Sequence, residues 1–325
     1  MIRERPIRTG SRNAVGFYFP EIPPDHITEK ECTKNIHCCF LSVYHMAEGQ
    51  ETIDRAQSAW HNIRITPGRG HAERITMKRE EVSHYSQYLN REMHIMIYGE
   101  GGIPFLSFPT QNSMCHNYED FGMIHQLADF IENHSIQLFV VDTVDCESWS
   151  PKDWDKEFRA ARQEQYFHYI TEEAIPLIRA INPQTPAVTG FSMGADHAVI
   201  TFLRRPDLFR GVIALSGVYD ADYFFDGWMN QTLYDNSPER FLPNMPNDHP
   251  WIRMYNERRI ILCCGQGAWE EDGVRTLKNL ENIFREKGIS AWFDFWGYDV
   301  NHDWPWWYKQ MRYFLPFLLE FPWQN

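Results

Sequence analysis

Short runs of nearly continuous apolar residues alternate along this chain with longer stretches of helical spacing, and no other feature constrains the fold as tightly. Residues 136–141 (Ile-Gln-Leu-Phe-Val-Val), 211–216 (Gly-Val-Ile-Ala-Leu-Ser) and 260–264 (Ile-Ile-Leu-Cys-Cys) are runs of this kind. Residues 93–98, 103–108, 187–189 and 290–296 read as further strands, the first two separated by Gly99-Glu100-Gly101-Gly102. A strand that is apolar along its whole length has both faces covered, which is the condition of a parallel sheet wrapped by helices. Between the runs, Phe121, Ile124, Leu127, Ala128 and Ile131 recur at helical spacing. Helices are also predicted over 160–181, kinked at Pro176, over 193–204, through Val274, Leu277, Leu280, Ile283 and Phe284 up to Gly288, and from about 304 onward. The alternation predicts an α/β fold with a mostly parallel central sheet and helices on both faces.

The pattern sharpens only at about residue 75. Residues 1–74 read as an N-terminal extension, with Pro20, Pro23 and Pro24 and one helix over 51–61, and residues 75–325 as the α/β domain. Within that domain, residues 220–256 are irregular, aromatic and rich in Pro and Asn, as a lid-like insertion would be. At 43% hydrophobic residues the chain can bury a substantial core. Its net charge of −13, with the first 70 residues nearly neutral, argues against nucleic acid as a partner, because phosphate contacts need a clustered basic surface. There is no apolar stretch long enough to cross a membrane, and Met1-Ile2-Arg3-Glu4-Arg5-Pro6 lacks the apolar run of a signal peptide. Seven cysteines, with Cys38-Cys39 and Cys263-Cys264 adjacent, are not a disulfide framework. These features predict a cytoplasmic protein with reduced thiols.

Chemistry enters at Gly190-Phe191-Ser192-Met193-Gly194, which lies between a predicted strand and a predicted helix. A chain of this composition holds roughly 0.05 chance matches to G-x-S-x-G. In a strand-to-helix turn the pattern has a mechanical meaning: the serine sits on a strained backbone above the sheet, and flanking glycines relieve the crowding. A nucleophilic serine needs a base, and the base an orienting acid, in the chain order Ser, acid, His for this architecture. His302 follows the last strand and is the predicted base, whereas His125, His197 and His249 read as loop or helix surface. The acid belongs after strand 259–264, where Glu270, Glu271 and Asp272 compete. Glu271 and Asp272 have a sufficient reason at a helix start. Glu270, nearest the strand end, is preferred. For a developing oxyanion, the Met193 N–H is one donor by position, and the loop after 103–108 supplies the other from Thr110 or Gln111, with Gln111 favoured.

The segments Gly190-Phe191-Ser192-Met193-Gly194-Ala195, Leu215-Ser216-Gly217-Val218-Tyr219-Asp220, Gly265-Gln266-Gly267-Ala268-Trp269-Glu270 and Tyr298-Asp299-Val300-Asn301-His302-Asp303-Trp304 together resemble the esterase family of α/β hydrolases that includes esterase D, enterochelin esterase and the antigen 85 acyltransferases. The resemblance covers roughly residues 75 to 320 and leaves the first 70 outside. It implies an α/β-hydrolase fold and a serine carboxylic-ester hydrolase, with Ser192 as nucleophile, His302 as base and no cofactor. Relatives use either Glu or Asp as the acid.

Two further signals bear on the chemistry. Cys32, His37, Cys38 and Cys39 fit no standard zinc spacing, and His71-Ala72-Glu73 has no Pro-Cys-x-x-Cys after it, so no metal is expected. Trp269 adjoins Glu270, and Trp304, Trp306 and Trp307 follow His302. Thr110, Trp269 and Trp304 are therefore candidate pocket residues, with Trp306 and Trp307 as ordinary packing. Aromatic surface near the site favours a small-molecule or glycan-linked ester with a sugar or aromatic group. The competing readings are an acyltransferase on the same three residues and a non-catalytic binding protein on the same fold.

Overall fold

The computed structural model describes residues 77–322. The predicted helix at 51–61, the Cys32–Cys39 cluster, His71-Ala72-Glu73 and the extension as a whole lie outside the described residues. Eight strands form one sheet: β1 (Arg79–Ser86), β2 (Arg91–Tyr98), β3 (Ile103–Phe108), β4 (Ile136–Val141), β5 (Ala187–Phe191), β6 (Gly211–Leu215), β7 (Arg259–Cys264) and β8 (Trp292–Phe295). Their spatial order is β1-β2-β4-β3-β5-β6-β7-β8. The β1–β2 and β2–β4 pairs are antiparallel, and every other pair is parallel. This is the predicted mostly parallel sheet.

Side chains along each central strand alternate between two apolar layers, as the twofold period of a strand requires. Ile95, Ile97, Phe139 and Val141 enter one layer, while Met96, Tyr98, Leu138 and Val140 enter the other. The first layer is covered by α1 (Lys156–His168), α2 (Ile175–Ile181), α3 (Met193–Arg204) and α4 (Glu271–Lys287), and the second by one-turn helices within 117–132 together with α5 (Trp304–Leu319). The antiparallel edge strand β1 was not predicted. Its sequence, Arg-Glu-Glu-Val-Ser-His-Tyr-Ser, is mostly exposed, so no apolar run marks it.

Local chemistry accounts for where the other elements depart from expectation. The stretch predicted as one helix over 121–131 holds two one-turn helices, Met123–Gln126 and Ala128–Glu132, with a third, Asn117–Asp120, set off before them at Gly122, whose φ is 78°. The helix predicted over 160–181 starts earlier, where the Asp155 carboxylate accepts from the Phe158 N–H at 2.8 Å. Wider π-helical turns over Tyr169–Ala174 join α1 to α2, which has Pro176 in its first turn. The proline lacks an N–H and its ring crowds the carbonyl one turn back, so the widening takes the place of the predicted kink. Residues 220–256, expected to be irregular, form four short helices: Ala221–Phe225, Gln231–Asp235, Pro238–Asn244 and Pro250–Asn256. Phe224, Phe225 and Leu233 of this insertion share an apolar cluster with Trp149 and Met193. The buried Arg159 guanidinium holds it down, donating to the carbonyls of Ser148, Trp149 and Phe224 at 2.7, 2.9 and 2.9 Å.

Candidate active site

The parallel strands β3, β5, β6, β7 and β8 all end on one edge of the sheet, and the loops leaving that edge meet. In α/β folds this carboxyl edge is where ligand sites are built. Four of the loops each contain a non-glycine residue at positive φ: Asn112 (58°) after β3, Ser192 (55°) after β5, Ser216 (59°) after β6 and Trp269 (68°) after β7. Such conformations cost on the order of 1–3 kcal/mol each and persist only where surrounding contacts enforce them.

Ser192 sits at φ 55°, ψ −129°, between β5 and α3. Its N–H donates to the Leu215 carbonyl at 2.9 Å, and its own carbonyl accepts from Ala195 at 2.8 Å. A Cβ on Gly190 would lie 2.0 Å from the Gly194 carbonyl oxygen, and one on Gly194 would lie 2.4 Å from the carbonyl oxygens of both Phe108 and Pro109. The first glycine lets the turn close. The second lets the β3 loop pack against the start of α3.

Next to the Ser192 hydroxyl stands His302. Its Nε2 is 2.8 Å from Ser192 Oγ, and its Nδ1 is 3.3 Å from Glu270 Oε2. The His302 N–H donates to the Ala268 carbonyl at 3.0 Å, the Gly267 N–H to Val300 O at 2.8 Å, and the Ala268 N–H to Asn301 Oδ1 at 2.9 Å. The loops after β7 and β8 are thereby stitched together, which fixes the two side chains relative to one another. Of the three competing carboxylates, only Glu270 turns inward, with no exposed surface. Glu271 is exposed in the first turn of α4, and Asp272 pairs with Arg275 at 3.1 Å.

Two residues complete this arrangement: Ser216, with no predicted role, and Trp307, predicted as ordinary packing. The Ser216 hydroxyl donates to Glu270 Oε1 at 2.6 Å and accepts from Trp307 Nε1–H at 3.0 Å. The Trp307 ring also stands edge-on to His302, with centroids 5.1 Å apart. Each comes from a different loop or helix, so spacing along the chain could not pair them.

Met193 N–H opens α3. Among the loop amides after β3, Thr110 donates to Asn117 Oδ1 and Asn112 to Asp145 Oδ2, both at 3.0 Å. Among the described residues, the amides of Met193 and Gln111 make no hydrogen bond to a backbone or side-chain acceptor. The Thr110 hydroxyl is turned to Asn117 and Ser113, each at 3.3 Å. Trp269 is 72% exposed and Tyr298 82%, so the loops carrying Glu270 and His302 both present aromatic surface. Trp304, in contrast, is buried and stacks on Phe121 with centroids 4.9 Å apart, which makes it part of the packing beneath the site and not an open wall.

His197 was expected at the surface and is instead buried, its Nε2–H donating to Asp145 Oδ1 at 2.7 Å. The signal was present: α3 reads Met-Gly-Ala-Asp-His-Ala-Val-Ile-Thr-Phe-Leu, apolar nearly all round, and such a helix is central. His125 is exposed, and His249 caps the helix that follows it, as expected. Asp220 has a structural occupation, capping Asp222 N–H at 3.0 Å and pairing with Arg275 at 2.9 Å. Burial pushes the Cys263 and Cys264 thiols up, well away from thiolate chemistry. No group of three or more His, Cys, Asp or Glu side chains is placed to hold a metal ion among the described residues, and no helix among them is long and apolar enough to cross a membrane.

A family model described as "Putative esterase" matches residues 86–318. A search of curated proteins finds no match. Among solved structures, the chain is similar to a ferulic acid esterase at 15% identity and a TM-score of 0.59, covering 76% of this chain and 100% of that one. An S-formylglutathione hydrolase from Agrobacterium tumefaciens matches at 15% identity and a TM-score of 0.59, covering 77% of this chain and 97% of that one. Mycobacterium tuberculosis MPT51 matches at 15% identity and a TM-score of 0.56, covering 75% and 98%.

Proposed function

The chain belongs to the Esterase family and is a carboxylic-ester hydrolase; on that premise we propose that it works through Ser192, His302 and Glu270 by way of an acyl-enzyme. The observation that carries the reading is the 2.8 Å contact between His302 Nε2 and Ser192 Oγ, on a serine held in a strained turn.

Ser192 Oγ attacks the ester carbonyl carbon as His302 Nε2 takes its proton. Glu270 holds the ring through Nδ1–H and stabilises the imidazolium that forms. The carbonyl oxygen becomes an oxyanion, which accepts from the N–H groups of Met193 and Gln111. His302 returns the proton to the departing alcohol oxygen, and the C–O bond breaks to leave the acyl group on Ser192. Water, deprotonated by His302, repeats the attack and releases the acid.

The substrate reading is an ester bearing an aromatic or sugar group. Exposed Trp269 and Tyr298, on the loops that carry Glu270 and His302, support it, as does the similarity to a ferulic acid esterase. Hydrolysis of p-nitrophenyl acetate by wild type and Ser192→Ala tests the nucleophile: activity in wild type and none above background in the variant is expected, and equal rates contradict it. A panel of acetyl, butyryl, octanoyl and feruloyl esters tests the substrate class, with long-chain activity alone as the contrary result.

A further inference from the structure

The two amides proposed to hold the oxyanion come from parts of the chain more than 80 residues apart, Gln111 in the β3 loop and Met193 at the start of α3. A buried strap joins them. His197 lies on α3, little more than one turn beyond Ser192, with its ring packed on Phe108 and Tyr166 at centroid distances of 5.5 and 5.1 Å. Its Nε2–H donates to Asp145 Oδ1 at 2.7 Å, and Asp145 Oδ2 accepts the N–H of Asn112 at 3.0 Å. Neither His197 nor Asp145 is exposed beyond 1%. Asn112 is the residue after Gln111 and stands at φ 58°, a conformation its sequence alone does not enforce.

A second, more exposed link runs alongside. The Ser150 hydroxyl donates to Asn112 Oδ1 at 2.7 Å and accepts from Gln111 Nε2 at 2.9 Å. The rest of the loop is held apart from this strap. Asp142 accepts the N–H of Cys115 at 3.0 Å, and Thr143 Oγ1–H donates to Ser113 O at 2.9 Å. Asn112 thus has its N–H fixed by a buried carboxylate whose own position is set from the nucleophile's helix.

We infer that Asp145, braced by His197, is a positioning residue that orients the Gln111 amide toward the oxyanion by fixing the adjoining Asn112. This rests on the proposed role of Ser192. The physical reason is that an oxyanion donor gains its effect from preorganisation: the Gln111 N–H lies on the 110–111 peptide, whose Thr110 carbonyl accepts from Ser113 N–H at 3.1 Å, and the pinned Asn112 N–H holds the following peptide, so Gln111 is fixed from both sides. The strap acts on the transition state and leaves substrate binding alone, so its loss lowers kcat and spares KM.

The test compares wild type, Asp145→Ala, Asp145→Asn, Ser150→Ala and Ser192→Ala on p-nitrophenyl acetate, with folding checked by circular dichroism. Binding of an aryl trifluoromethyl ketone is measured in parallel. Ser192 Oγ adds to that ketone's carbon, its proton passes to His302, and the ketone oxygen becomes an oxyanion. Asp145→Ala is expected to lower kcat about 10²-fold with KM within about threefold, and to weaken the ketone by the same factor. Asp145→Asn keeps an oxygen for Asn112 N–H and offers its NH2 to the other tautomer of His197, so it stays within about tenfold of wild type. Ser150→Ala is expected to lower kcat about fivefold at constant KM. A folded Asp145→Ala with wild-type kcat and ketone affinity overturns the inference. Should that variant not fold, an unchanged kcat in Ser150→Ala overturns it instead. A fully active Ser192→Ala sinks the nucleophile assignment itself, a different outcome from an inactive Ser192→Ala beside a wild-type-like Asp145→Ala.

Discussion

The Ser216 hydroxyl donates to Glu270 Oε1 at 2.6 Å, leaving Oε2 to face His302 Nδ1 at 3.3 Å. Glu270 is fully buried, and Trp307 Nε1–H donates to the same serine oxygen, so the carboxylate is held by a chain that starts on α5. A hydrogen bond to a charged group contributes about 1.5–3 kcal/mol. Ser216→Ala is therefore expected to lower kcat/KM about tenfold, and Trp307→Phe a few-fold, measured on p-nitrophenyl acetate. Wild-type values in both would mean that Glu270 is oriented without them.

The choice among three neighbouring carboxylates has a direct check. Glu270→Gln keeps the shape and removes the charge that stabilises the imidazolium, and kcat should fall about 10³–10⁴-fold. Glu271→Gln and Asp272→Asn, whose side chains lie at the start of α4 away from His302, should stay within about threefold. A large loss in either of the latter pair with an active Glu270→Gln would reassign the acid.

Gly194 and Gly288 separate a steric requirement from a conformational one. A Cβ at 194 would press on two carbonyl oxygens at 2.4 Å, and nothing there is a flexible side-chain end. Gly194→Ala should lose at least about 100-fold in kcat/KM, because the β3 loop must move off α3. Gly288, at φ 66° with open space around it, should in the Ala variant cost about 1 kcal/mol and a few degrees of Tm with activity intact. Equal activity loss in the two would contradict the account.

Glu239 gives a pH signature. Burial pushes its carboxyl up to about 7, against the opposing pull of the Ala221 N–H it accepts at 3.1 Å. A folded pKa above the unfolded value means the native state holds the proton more tightly. The stability Glu239 contributes is then complete below the unfolded value of about 4.5 and is lost as pH rises to about 7. The loss approaches about 3 kcal/mol and levels off above that pH. Urea denaturation from pH 4.5 to 8 should show wild type losing stability relative to Glu239→Gln across this window, and parallel curves would refute the shift.

Much of this was legible because several determinants are local. The run Gly190–Gly194 between a strand and a helix carries its own steric logic, and Met193–Arg204 ends where its apolar pattern ends. His302 and Glu270 could be read because each follows a strand, and strands announce themselves by apolar runs. Ser216 and Trp307 could not, since a small polar residue after β6 and an aromatic one on α5 acquire meaning only when the two elements pack. β1 has no apolar run to mark it, because its inward face is Val82, His84 and Ser86, two of them polar. His197 reads as a surface residue only when its polarity is taken apart from the apolar helix around it.

The central claim is that Ser192 is an activated nucleophile, and intact-mass analysis after fluorophosphonate treatment tests it most directly. The account predicts one phosphonyl adduct on wild type and none on Ser192→Ala. An adduct of equal yield on the variant, or none on well-folded wild type, would contradict it.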